Sequence, residues 1–136
     1  MSLKIVETCI YAVDLIKAEK FYSDLMALKL LKKDEGRHLF YECENGMLLI
    51  FNPHHTKNVK TDVNGSAVPL HGSDGSGHVA FSVEADKYDE WKEKLTSNGI
   101  KIESEIEWSD DVRSFYFRDP AYNSLEIIAG NMWNLT

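Results

Sequence analysis

Residues 78–102, HVAFSVEADKYDEWKEKLTSNGIKI, read as a strand, a helix and the start of another strand. HVAFSV alternates with a period of two and carries valine and phenylalanine, a strand pattern. Asp86 then opens a helix with Tyr88, Trp91 and Leu95 on one face, and Asn98-Gly99 stops it. The same order occurs earlier, in ETCIYAVDLIKAEKFYSDLMALKL (7–30). Residues 4–13 read as a strand and Asp14 as an N-cap. Ala18, Phe21, Tyr22 and Leu25 mark an amphipathic helix over 15–27.

The two stretches lay on one another, and so do their continuations. YECENGMLLIF (41–51) matches YFRDPAYNSLEII (116–128). Strands are expected at 28–33, 37–43 and 47–52, with Asn45-Gly46 as a tight hairpin turn. In the second copy they are expected at 100–108, 113–118 and 124–129, with a turn over Asp119–Asn123. Each half therefore reads β-α-β-β-β. An internal duplication governs the choice of fold more than any single motif does. The expected architecture is α+β, with one domain over 1–136. Module 1 covers about 3–52, a Gly-, Ser-, Asn- and Pro-rich loop covers 53–77, and module 2 covers about 78–130.

In this register Glu7 aligns with His78, and Leu49 with Glu126. Alternation places Glu7, Cys9 and Tyr11 on one face, and His78, Ala80 and Ser82 on the matching face of the second copy. Ser124, Glu126 and Ile128 oppose Leu125 and Ile127. The apolar sets pack under the helices, so the polar sets face the concavity of a curled sheet. Glu126 is the sharpest case, because a carboxylate in an apolar run costs several kcal/mol unless something neutralises it. The structural alternatives are an ion pair of Glu126 with Arg113, Arg118 or a lysine, a core hydrogen bond for His78, and a solvated edge position for Glu7.

Composition bounds the function. Of 136 residues, 43% are hydrophobic and 27% charged, which is ordinary globular composition. The net charge of −7 gives no footprint for nucleic acid and argues against anionic membranes. No apolar run approaches a membrane span of roughly 18 residues. Cys9 and Cys43 lack metal-type spacing and read as buried free thiols in a reducing cytoplasm. His54 and His55 read as loop-surface residues, His38 as an exposed strand residue, and His71 as either loop scaffold or pocket lining.

AVDLIKAEKFYSDLMALKLL (12–31), GHVAFSV (77–83) and FRDPAYNSLEII (117–128), in that order within a duplication, resemble the vicinal oxygen chelate superfamily. Its members include glyoxalase I, extradiol dioxygenases, fosfomycin-resistance enzymes and bleomycin-resistance proteins. The resemblance implies two tandem βαβββ modules whose curled mixed sheets enclose a shared cleft, usually in a homodimer. It implies one metal position in each of four strands. Here these fall on Glu7, Leu49, His78 and Glu126, so three are filled and the second is apolar. Glu7 departs from the histidine usual in fosfomycin enzymes and extradiol dioxygenases. Such a set suits one divalent ion, Mn, Fe, Ni, Co or Zn, and leaves positions open for substrate. Glu126 is also the expected catalytic residue.

The expected function is metal-dependent chemistry on a small oxygen-rich or electrophilic molecule, with lyase, isomerase, thiol-transferase and dioxygenase reactions all open. The alternative is a metal-free small-ligand binder of the bleomycin-resistance type. No nucleic-acid or membrane partner is expected.

Overall fold

The computed structural model describes residues 1–134, which form two compact units, Met1–Ser76 and the described residues from Gly77 onward. The first unit begins with β1 (Glu7–Tyr11) and α1 (Leu15–Glu19), which runs on as a wider π-turn over Lys20–Leu25. Then come β2 (Lys29–Asp34), β3 (His38–Cys43) and β4 (Gly46–Phe51), followed by a helical turn, α2 (Pro53–Thr56), and a small hairpin of β5 (Thr61–Val63) and β6 (Ser66–Val68). The second unit has β7 (His78–Val83), a 3-10 turn over Ala85–Lys87, α3 (Tyr88–Ser97), β8 (Ser104–Ser109), β9 (Val112–Arg118) and β10 (Ser124–Ala129).

The duplication is explicit in the sheet topology. The first sheet has the order β1-β4-β3-β2 and the second β7-β10-β9-β8. In each, the first strand runs parallel to the last, and the other pairings are antiparallel. Registers agree as well. Glu7 pairs with Met47 and His78 with Ser124, so Leu49 and Glu126 each lie two residues beyond the equivalent pair. The sequence alignment therefore holds at the level of individual Cα partners.

Each sheet buries one face under its own helix. In the first unit Ile10, Leu39, Tyr41, Leu48 and Ile50 meet Ala18, Phe21 and Tyr22 in the core. In the second, Phe115, Phe117, Leu125 and Ile127 pack with Tyr88 and Leu95. Burying side chains of this size is worth about 1.5–3 kcal/mol each. Asp14 caps α1 by accepting from the Lys17 backbone N–H at 3.0 Å. Gly99, at φ +79°, lets the chain leave α3.

Several boundaries differ from expectation. The strand expected over 4–13 is confined to β1, since Ile5 and Val6 are exposed. The helix expected over 15–27 is α-helical for one turn only. It then widens, the Met26 N–H bonding to the Phe21 carbonyl, and both Phe21 and Tyr22 are buried in that wider turn. α3 starts at Tyr88 rather than Asp86, which lies in the preceding 3-10 turn without a side-chain cap. The strand expected from residue 100 begins at Ser104. The β3–β4 turn is Glu44-Asn45, one residue early, with Asn45 taking the positive φ of +67°. The segment 53–77 is more ordered than a loop, because Asn52 caps α2 through the His54 N–H and a two-residue Asn64-Gly65 turn, both at positive φ, closes the β5–β6 hairpin.

Candidate metal centre

A hydrogen-bonded clamp at the β9–β10 turn fixes where His78 stands. Asp119 Oδ1 accepts from the Ala121 and Asn123 backbone N–H groups at 2.9 and 2.8 Å, and Asp119 Oδ2 accepts from Asn123 Nδ2 at 2.9 Å. Asn123 Oδ1 in turn accepts the Gly77 N–H at 2.7 Å, and the Ser124 N–H bonds to the Gly77 carbonyl. Asp119 and Asn123 are both buried. The start of β7 is thereby tied to the start of β10, and His78 lies beside Ser124.

His78 and Glu126 then meet across the two strands. His78 Nδ1 is 2.9 Å from the Ser124 carbonyl, so Nδ1 carries the proton and donates it. Its other ring nitrogen, Nε2, lies 3.3 Å from Glu126 Oε1. Glu126 is 5% exposed, and its other oxygen, Oε2, is buried without a hydrogen-bond partner. A buried carboxylate with an orphaned second oxygen, and an imidazole nitrogen facing the first, is an arrangement that a cation held between them would neutralise. The donors present therefore fit a divalent ion.

Tyr116 completes this side of the sheet and was missed from the sequence. It pairs with Glu126 across β9 and β10, and its ring stacks on that of His78 with centroids 6.1 Å apart. Burial, and then the Glu126 carboxylate, push its phenol above the ordinary tyrosine range. The signal was available, since Tyr116 alternates with the core residues Phe115 and Phe117 and so shares the face of Glu126.

Glu7 lies on the corresponding face of the first sheet. It is exposed, and it lines an open cavity of about 800 Å³ together with Cys9, Tyr11, Leu49 and His71. Among the described residues, no three His, Cys, Asp or Glu side chains are gathered closely enough to grip an ion. The structure thus brings His78 and Glu126 together and puts Glu7 and Leu49 at the equivalent positions of the first unit.

Three sequence expectations are corrected. Cys9 is exposed, because its side of β1 faces away from the helix, and Cys43 is half-buried at the end of β3. His38 is half-buried rather than exposed, stacked on Phe40 at 3.9 Å, with Nδ1 lacking a partner. His55 is half-buried too, and its Nδ1 accepts from Arg37 at 3.3 Å, whereas His54 is exposed. His71 lines the cavity, with Nδ1 2.8 Å from the Tyr11 hydroxyl.

A profile described as Glyoxalase/Bleomycin resistance protein/Dioxygenase superfamily matches residues 4–127. The chain belongs to this family. It is 34% identical to lactoylglutathione lyase from Agrobacterium tumefaciens, whose structure superposes with a TM-score of 0.89 over the whole of both chains. It is 25% identical over 120 residues to the metallothiol transferase FosB of Staphylococcus saprophyticus, which covers 88% of this chain and 72% of that one. A mutant of the fosfomycin resistance protein FosX from Listeria monocytogenes, solved with Mn(II) and 1S,2S-dihydroxypropylphosphonic acid, shares the fold. There the TM-score is 0.70 at 18% identity, over 97% of this chain and 94% of that one. No helix among the described residues is long and apolar enough to cross a membrane.

Proposed function

We propose that the chain is a divalent-metal-dependent vicinal oxygen chelate enzyme acting on a small oxygen-rich or electrophilic molecule. The observation that carries this reading is the buried, half-orphaned Glu126 carboxylate facing Nε2 of His78. Glu7, on the matching face of the first sheet, is the third ligand, supplied by the same chain or by a second copy in a homodimer. A bound dication would polarise neighbouring substrate oxygens and stabilise negative charge developing there.

The chain's own groups set the rest. The Ser124 carbonyl holds His78 in the tautomer that leaves Nε2 as donor atom. The Asp119–Asn123 clamp fixes the spacing of the two strands that carry the pair. Glu126 Oε2 is free of hydrogen bonds and is the atom able to take up a substrate proton, with the Tyr116 hydroxyl nearby to donate one back. Leu49, at the second position, leaves that side open rather than filling it with a further ligand.

The names of the relatives suggest the first reactions to assay: cleavage of lactoylglutathione, and addition of a thiol to small electrophiles. Turnover should require Mn(II), Zn(II) or Ni(II), vanish with chelator, return on reloading, and fall at least about a hundredfold in His78→Ala. Turnover that survives both chelator and His78→Ala would contradict the proposal. A metal-free ligand-binding module would instead leave Glu126 uncompensated, and the geometry gives no reason for that cost.

A further inference from the structure

The first unit has a second cavity, of about 490 Å³, on the helix side of its sheet. Alternation separates it from the cavity that Glu7 lines. Leu39 belongs to its floor, whereas His38 and Phe40, the neighbours of Leu39 in β3, line the other cavity. The floor, Leu15 and Leu39, is buried. The wall is not, since Val13 is 54% exposed and Ile16 85%. Two large apolar side chains left in water beside an apolar hollow mark a surface that takes a ligand better than water does. The volume falls within the range of small-molecule sites.

The rim is acidic. Asp14, Glu19, Asp34 and Glu35 border the cavity, against the single ammonium of Lys33. That ammonium is already engaged, with Lys33 Nζ 2.7 Å from Glu19 Oε1. Setting Glu19 against Lys33 leaves the carboxylates of Asp14, Asp34 and Glu35 in excess. The backbone that carries them is pinned. In the β2–β3 turn the Arg37 N–H bonds to the Asp34 carbonyl at 3.0 Å, and Asn52 Nδ2 donates to the Gly36 carbonyl at 3.1 Å. Asp14 is held by its cap of α1. Gly36, at φ +79° with open space where a Cβ would stand, leaves the mouth clear. An anion would be repelled here, and a bare metal ion would find no gathered set of three donors. The apolar floor and the excess of negative charge together call for an organic cation.

We propose that this helix-side cavity binds a small organic cation, an ammonium or guanidinium on a compact apolar body. The body lies against Leu15, Ile16 and Leu39, and the charge sits among Asp14, Asp34 and Glu35. The site is separate from the metal centre and stands whether or not that centre holds an ion.

Calorimetric titration of the full, chelator-treated chain with benzylammonium, benzyl alcohol and benzoate at low salt tests it. Benzylammonium should bind about fivefold or more tightly than benzyl alcohol, with benzoate weakest, and the margin should shrink in about 0.5 M salt. Glu35→Lys, at an exposed turn position, should erase the margin. Ile16→Asn, also at an exposed position, should weaken benzylammonium and benzyl alcohol alike. Both variants should unfold at the parent's temperature, which separates lost binding from lost structure. Glu7→Gln, in the other cavity, should leave the margin as it is. No binding of benzylammonium, equal binding of the three probes, or an unchanged margin in Glu35→Lys would overturn the proposal. A margin erased by Glu7→Gln but spared by Glu35→Lys would move the cation to the other cavity and overturn it too. So would a sedimentation coefficient that falls in Ile16→Asn while the parent binds no benzylammonium, because the face would then be a contact between copies.

Discussion

Glu126 concentrates the energetics of the site into one side chain. A buried carboxylate with an unpartnered oxygen destabilises the folded chain unless a cation is present. Glu126→Gln keeps the shape and removes the charge. In chelator-treated protein we expect it to be neutral or stabilising by about 1 kcal/mol by urea unfolding. A loss larger than that would assign Glu126 to a structural network instead. His38 gives a pH test. Burial holds its imidazole below the ordinary histidine range, ahead of opposing effects from Asp34 and reinforcing ones from Arg37, His55 and Lys32. The folded state therefore prefers the neutral ring, and the unfolded chain takes up the proton first. Stability is fully present above about pH 6.5 and is lost as pH falls through the lower folded value. His38→Phe should show a smaller drop in Tm between pH 7.5 and pH 5 than the parent, and an equal drop would count against it.

At the scale of elements, the clamp between the β9–β10 turn and β7 joins strand pairing to the site. Asn123→Ala removes one hydrogen bond from Asp119 Oδ2 and one from the Gly77 N–H. It should cost about 1–3 kcal/mol in urea unfolding and weaken metal uptake through the displaced His78. Retained stability with full metal uptake would show that backbone pairing alone sets the spacing. The strands themselves were legible because alternation and turn residues agree: HVAFSV and SLEIIA have the expected bounds in β7 and β10. The widened turn after α1 was not, since Phe21 and Tyr22 suit an α-helix equally well by spacing. Nor was the β5–β6 hairpin, whose three-residue strands are too short to show a period, although Asn64-Gly65 was a turn signal.

Across the whole molecule, the duplication made two odd polar residues, Glu7 and His78, into one position read twice, and the strand registers bear that out. Arg37 escaped the same logic because a charged residue in a Gly-Arg turn reads as solvated until Thr61 and His55 close over it. Assembly belongs to this scale too. If Glu7 joins His78 and Glu126 from a second copy, sedimentation at micromolar concentration should show a dimer whose dissociation releases the metal. A monomer that retains the ion would place all three ligands in one chain. The central claim is tested most directly by the metal content of protein purified without chelator and reloaded with Mn(II). We predict one divalent ion per chain in the parent, with both His78→Ala and Glu126→Gln folded but empty. A parent that binds no ion, or variants that bind as the parent does, would contradict it.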